Sequence, residues 1–447
     1  MAYIPHTPSD RQKMLDVVGV ERMEDLYEGI PEEVKFPKLD LPQKVSEMEI
    51  AQELQAYSEA NLDTKHVACF LGAGAYHHFI PSVVDHVMRR NEFYTAYTPY
   101  QPEVSQGTLQ AIYEYQSMIA NLTGMDVSNA SHYDGATALA EAVILALNQF
   151  RLKRRKIILS PKIHPQFREV VRTYMQGVEL EIVGDETCDV DTQSLAELVD
   201  ENTALVAVQY PDFFGGIEDF TALGEAIHAA GGMFCVVVNP LALGLLKPPS
   251  AFDADVVVGE GQTLGIPLSY GGPYLGIFAT REKFVRKMAG RLVGETEDSR
   301  GQRGFVLTLT PREQHIRRDR ATSNICTNQG LIALASAVYL SEMGKQGLRK
   351  VAELCYHKAQ YAAAQIDKLE AYQLWNQGSF FNEFVIACPK PIAEINEQLL
   401  DYDILGGYDL GNCYEELQDH ALFAVTELNS KEEIDLLVSA LEEVSHD

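Results

Sequence analysis

The sequence predicts an α/β fold with a mostly parallel sheet, a smaller α+β region after it and a helical arm before it. Short apolar runs carry that expectation: KIILS (156–160), LEIVG (180–184), ALVAVQYP (204–211), FCVVVNP (234–240) and DVVVGE (255–260). Helical stretches at 165–176, 192–199 and 220–230 separate them. Apolar runs of this length joined by helices mark parallel strands covered on both faces. GPYLGIFAT (272–280) closes the set, with an antiparallel course open to it. The expected divisions are an arm at 1–65, a large α/β domain at 66–335 and a small α+β domain at 336–447.

In the arm, Ser9 and Asp10 are placed to cap a helix through Met14, Leu15, Val17 and Val18, stopped by Gly19. Met23, Leu26 and Tyr27 suggest a second short helix ending before Pro31, and Val45 to Leu62 a third. Such an arm cannot build a core alone, so it is expected to pack on the body or on another chain. At CFLGAGAYHHFIP (69–81), His77 and His78 are adjacent, share no helix face and match no zinc spacing. They are assigned to polar pocket lining, with no metal expected.

FYTAYTPYQPEVSQG (93–107) follows no apolar period. Pro99 and Pro102 stiffen it, while Tyr94, Tyr97, Tyr100, Gln101 and Glu103 supply hydroxyls, an amide and a carboxylate. Such groups on a stiff loop suit ligand recognition; an aromatic loop pinned on its own domain is the alternative. A helix from Thr108 to about Thr123 comes next. Asn129 to Asp134 then form a turn, with Asp134 as the cap of an apolar, buried helix. Arg151 to Lys156 read as a solvated face at that helix's end. The ends of the central strands, where such sheets bind ligands, carry Gln209 to Asp212, Asn239–Pro240 and Glu260–Gly261–Gln262. Towards the C-terminus, FVIAC (384–388) and ALFAVTE (421–427) are strands, and Ser430 with Glu433 forms a capping box on the last helix.

Composition excludes several function classes. With 447 residues, 46% of them hydrophobic, the chain can bury a large core. A net charge of −28 argues against nucleic acid and anionic membranes as main partners. No run resembles a membrane span, and the N-terminus lacks the apolar run of a secretory signal. Seven cysteines stand singly without a C-x-x-C pair, as expected of a reduced, cytoplasmic protein.

TAYTPYQPEVSQG (95–107), NASHYDGATALAEA (129–142), PLSYGGPYLG (267–276) and TPREQHIRRDRATSNICT (310–327) carry a resemblance covering essentially the whole chain. The sequence resembles the glycine decarboxylase (P-protein) family of the glycine cleavage system, and within it the first subunit of the form split in two. The resemblance implies the fold of the pyridoxal-phosphate (PLP) aminotransferases (fold type I). It also implies a reaction in which glycine joins PLP, loses its carboxylate as CO2 and passes its aminomethyl group to the lipoyl arm of H-protein.

A PLP site needs a lysine, a carboxylate against the ring nitrogen and phosphate donors at a helix N-terminus. The corresponding positions here are Gln262, Asn239 and the Asp134–Gly135 turn. An amide cannot form an imine, and an N-cap aspartate repels a phosphate dianion. The expectation is that this chain holds no PLP and completes the site of a PLP-bearing second subunit. Tyr94, Tyr97, Tyr100, Gln101 and Glu103 are its expected catalytic contributors, with Thr327, His77 and His78 as secondary contacts to the cofactor. Arg312, Arg317, Arg318 and Arg320 could dock an acidic H-protein, although ion pairs with Glu313 and Asp319 are the expected use. The rival readings are a self-sufficient PLP aminotransferase and a purely structural subunit.

Overall fold

A computed structural model describes residues 6–446 other than 96, 189 and 377. The chain divides into two compact units, one running to Leu62 and one beginning at Asp63. In the first unit, α1 (Pro8–Val18) and α2 (Glu47–Glu59) flank a 3-10 turn at Met23–Tyr27. The cap of α1 is Thr7 rather than Ser9 or Asp10. Its hydroxyl accepts from the Asp10 N–H, and the Asp10 carboxylate accepts from the Thr7 N–H. Asp10 is thus the reciprocal member of a capping box. Gly19 closes the helix at φ 85°, and Ser46 with Glu49 caps α2 in the same way. Among the described residues of this unit only Leu15 is buried.

The second unit begins with β1 (Ala68–Cys69), α3 (Ser82–Met88), α4 (Gln106–Thr123), β2 (Val127–Ser128) and α5 (Gly135–Gln149). The alternation follows: β3 (Lys156–Leu159), α6 (Pro165–Met175), β4 (Glu181–Val183), α7 (Thr192–Glu197), β5 (Thr203–Tyr210), α8 (Thr221–Ala229), β6 (Met233–Val238), β7 (Val256–Glu260) and β8 (Gly276–Thr280). These strands form a seven-stranded sheet in the order β2-β8-β7-β6-β5-β3-β4. Strands β3 to β7 pair in parallel, while β8 runs antiparallel to both β7 and β2.

Strong side-chain alternation explains why the central strands read as unbroken apolar runs. Val206, Val208, Phe234, Val236, Val238 and Val257 pack into one core, and Leu205, Ala207, Cys235, Val237, Val256 and Val258 into another. Both faces are therefore covered, and each fully buried Val or Leu stabilises the fold by about 1.5–3 kcal/mol. The basic run is only partly solvated. Arg154 donates to the carbonyls of Thr203 and Ala230, and the buried Lys156 ammonium donates to Leu198 and Asp200.

Beyond the sheet lie a hairpin of β9 (Leu292–Glu297) and β10 (Arg303–Thr308), then the short α9 (Gln314–Arg317). A 37-residue helix, α10 (Gly330–Ile366), follows, bent at Gly344 where φ is 56°. Ala333, Ala335 and Ala337 of α10 join the core of the seven-stranded sheet, whereas Ala359, Ala362 and Ile366 join the next one. That second core is built on β11 (Gln373–Leu374), β12 (Glu383–Ala387), α11 (Ile392–Leu399), β13 (Ile404–Leu405), β14 (Tyr408–Asp409), β15 (His420–Ala424) and α12 (Lys431–His446). The antiparallel order is β11-β12-β15-β14, and β1 pairs in parallel with β13. Ser430 and Glu433 form the expected capping box on α12. None of the helices described is long and apolar enough to cross a membrane.

Candidate functional site

The carboxyl end of β7 opens into a cleft of about 490 Å³, lined by Tyr133, Asp134, His164, Phe167, Glu260 and Tyr274 among others. The ends of β5 and β6 border a smaller hollow that shares His164, Phe167 and Glu260 with it. At the floor of the cleft the N-terminus of α5 presents backbone donors. The Asp134 carboxylate accepts from the Thr137 N–H at 2.7 Å, as expected of an N-cap. The Gly135 N–H is taken as well, donating at 3.0 Å to Oε2 of Glu260, the last residue of β7. Oε1 of Glu260 accepts from the N–H groups of Gln262 and Leu275, each at 3.0 Å. Burial pushes the Glu260 carboxyl up to about 7, against the backbone donors that oppose the rise.

Gln262, which is 1% exposed, bridges backbone groups. Its Oε1 accepts from the Tyr76 N–H at 2.9 Å, and its Nε2 donates to the carbonyls of Tyr76 at 2.9 Å and Ile266 at 2.7 Å. Every hydrogen-bonding position of the amide but one lone pair is filled. Asn239, after β6, accepts through Oδ1 from the Leu241 N–H at 3.1 Å and the Thr263 hydroxyl at 3.3 Å. The His164 ring stacks on Phe167 at 5.0 Å, with its Nε2 3.0 Å from the Ala73 carbonyl, and burial pulls its pKa down.

The tyrosine loop lies elsewhere, between α3 and α4; Ala96 falls outside the described residues. Tyr94 is 68% and Tyr97 90% exposed, and Gln101 and Glu103 are exposed too. Tyr100 differs: its hydroxyl accepts from the Arg291 guanidinium at 2.6 Å. Tyr97 faces a hollow shared with Asn328, the neighbour of the exposed Thr327. Gln329, the next residue, lines the large cleft, so the loop and the cleft border one stretch of chain.

His77 and His78 are placed differently from these. His77 is partly buried, and burial lowers its pKa. His78 is buried with Nδ1 2.7 Å from Glu427 Oε2, an oxygen to which the Cys355 thiol donates at 3.4 Å. His78, Cys355 and Glu427 are the one group with metal-ligand chemistry among the described residues. The 2.7 Å contact is a hydrogen bond, shorter than the roughly 3.3 Å between two ligands of a tetrahedral ion. The arginines also depart from expectation. Arg312 donates to the carbonyls of Met288 and Gly290, and Glu313 pairs instead with Arg291 at 3.4 Å. Among the described ion pairs none joins Arg312, Arg317, Arg318 or Arg320 to Glu313 or Asp319. The reason is geometric: Glu313 points inward to Arg291, while the later arginines remain in solvent.

The profile of the glycine cleavage system P-protein family matches residues 1–441. The chain belongs to that family. A Thermomicrobium roseum relative with the curated name "Probable glycine dehydrogenase (decarboxylating) subunit 1" is 55% identical over 100% of both chains. One of the same name from Geobacillus sp. (strain WCH70) is 51% identical over 98% of each. A crystal structure titled glycine decarboxylase (P-protein) of the glycine cleavage system, in inhibitor-bound form, matches with a TM-score of 0.90 at 43% identity. It covers 99% of this chain and 100% of that one. Lactobacillus brevis glutamate decarboxylase shares the fold at a TM-score of 0.70 and 13% identity, over 93% of this chain and 96% of that one. These neighbours have the fold type I architecture of PLP enzymes, the expected fold class.

In this P-protein chain the residues at the cleft do not fit PLP. The donors that would hold a phosphate at α5 are engaged by Glu260 and Asp134, and both carboxylates would repel it. Gln262, at the position where the resemblance expects a lysine, is committed to backbone bridging, and Asn239, where it expects a carboxylate, is an amide. The family resemblance drew attention to Gln262, Asn239 and Asp134, whereas Glu260 carries no sequence signal beyond its place at a strand end.

Proposed function

We propose that this chain is the first subunit of a two-subunit glycine decarboxylase. The second subunit holds PLP, decarboxylates glycine with it and passes the aminomethyl group to the lipoyl arm of H-protein. The present chain holds no PLP and completes its partner's site with the loop at 93–107. The observation that carries this reading is Glu260, whose carboxylate sits on the Gly135 N–H where a cofactor phosphate would be held. A chain with this fold whose phosphate donors are already engaged acts, if it acts in the chemistry, on a cofactor held elsewhere. Exposure of Tyr94 and Tyr97 supports the loop's part, since large aromatic side chains left in solvent favour recognition surfaces. The loop's groups can orient a small zwitterion: hydroxyls and the Gln101 amide donate to a carboxylate, and Glu103 accepts from an ammonium.

Two measurements test the proposal. Cofactor counting on the purified pair should find one PLP per heterodimer, and this chain alone should be colourless. A yellow colour in the isolated chain, bleached by borohydride, would sink the assignment. Tyr97→Ala or Glu103→Gln, assayed in the pair, should slow exchange of the glycine carboxyl with CO2 by about tenfold or more, the scale of lost orientation. Unchanged exchange in both variants would leave the subunit a structural one.

A further inference from the structure

The loop meets a buried charge. Between Thr95 and Glu103 the described hydrogen bonds are local, with one exception, the bond that Tyr100 accepts from Arg291. Arg291 has a side chain only 3% exposed, yet it lies in none of the motif stretches. Its guanidinium donates to the Tyr100 hydroxyl at 2.6 Å and lies 5.4 Å from the centre of the Tyr100 ring. The edge of His315 meets the same ring at 5.4 Å between centroids. Glu313, with a side chain 5% exposed, balances the charge from 3.4 Å. The Arg291 carbonyl accepts from the Ala130 N–H at 2.9 Å. One residue thereby joins the tyrosine loop, the turn before α5 and the segment around α9.

Burying a guanidinium is costly, and an apolar side chain of similar size would pack the same space more cheaply. What an apolar residue cannot do is fix a phenol hydroxyl at one point. We propose that Arg291 is a positioning residue that latches the loop through Tyr100 and so sets where Tyr94 and Tyr97 stand. The inference rests on the reading of the loop given above. Arg291 touches no reactant, and its effect reaches the chemistry through the loop. Lysine at this position keeps the charge but loses the fork that serves Tyr100 and Glu313 together.

The test uses the heterodimer carrying Tyr100→Phe, Arg291→Lys or both, with amide hydrogen exchange read by mass spectrometry beside the glycine carboxyl-exchange assay. Tyr100→Phe keeps the ring, so the fold is preserved. Each single variant should speed exchange of the amides at 94–104 by about tenfold, as expected for one charge-assisted bond, and leave the sheet's amides unchanged. Each should lower kcat/KM for glycine by a similar factor, and the double variant should add little, because both changes break one contact. Unchanged amide exchange in Tyr100→Phe overturns the latch. Faster amide exchange with unaltered glycine kinetics overturns the positioning role. If Tyr97→Ala impairs the reaction while Arg291→Lys does not, the loop reading stands and the latch alone fails. If neither affects it, the loop reading fails.

Discussion

Four buried carboxyls are expected to raise the melting temperature of this chain as the pH is lowered from about 8 to about 6, in opposition to its buried and half-buried histidines. Burial pushes the carboxyls of Glu141, Glu260 and Glu383 up to about 7 and that of Asp212 up to about 6. The ordinary values are 4.5 for the glutamates and 3.8 for the aspartate. Between those values and the raised ones the folded chain holds protons that the unfolded chain has released. Stability therefore falls as pH rises through the window from about 4.5 to about 7. Each glutamate contributes on the order of 1 kcal/mol between the two test conditions. The opposite trend comes from His77, His132, His164 and His420, whose pKa burial lowers from the ordinary 6.5, so that each loses stability as pH falls through that value, and it deepens in strong acid. For Asp185 burial pulls upward, but bonds from Arg172 and Arg168 outweigh it and hold the carboxyl low, so its contribution is lost as pH falls through that lowered value.

Glu383 isolates one group of this set. Its Oε2 accepts from the Tyr76 hydroxyl and its Oε1 from the Ala73 N–H, both at 2.8 Å. Glu383→Gln keeps the shape of the neutral acid, so it should flatten the pH dependence by one group's share at small cost near pH 7. Glu383→Ala leaves a buried hydroxyl and a backbone N–H without partners and should cost about 3 kcal/mol. Melting curves at both pH values, for the wild type and the two variants, check this. A Gln variant with an unaltered pH slope would show that Glu383 is ionised in the folded chain.

The parts of the fold legible in sequence were those dominated by local pattern. Ala204 to Val208 and Met233 to Val238 are buried on both sides, so their residues are apolar on either face and announce a parallel strand. The two-residue strand at Val127–Ser128 has too little length to carry a period, and it exists because β8 offers it a partner. The hairpin of β9 and β10 mixes exposed glutamates with half-buried residues, which hides its alternation. At the site, Asn239 directly follows β6 and Gln262 stands two residues past the end of β7, strand-end positions to which the family resemblance drew attention. The contact of Glu260 with Gly135 spans 125 residues, and that of Tyr100 with Arg291 spans 191, so neither leaves a local trace. The contact of His78 with Glu427 likewise spans 349 residues.

Placing a lysine at the proposed aldimine position by Gln262→Lys is expected to yield no bound PLP and a weaker fold. The amide it replaces accepts from the Tyr76 N–H and donates to two carbonyls, and an ammonium can accept nothing. The new charge would lie at a position 1% exposed, leaving the Tyr76 N–H unpaired, at a cost of about 3 kcal/mol or more. Even a folded lysine variant would meet Glu260 on the Gly135 N–H, and an anion that takes that donor leaves Oε2 of the buried carboxylate unpaired beside a second negative charge. Glu260→Ser added to Gln262→Lys frees that donor, and this double variant is the smallest change for which weak PLP absorbance is expected. Titration of both variants with PLP, followed by borohydride reduction and mass measurement, separates the two barriers. A covalent adduct on the single lysine variant would mean that Glu260 does not guard the cradle. An adduct only on the double variant would place the barrier at the helix N-terminus, with the absent lysine as the second of two independent obstacles.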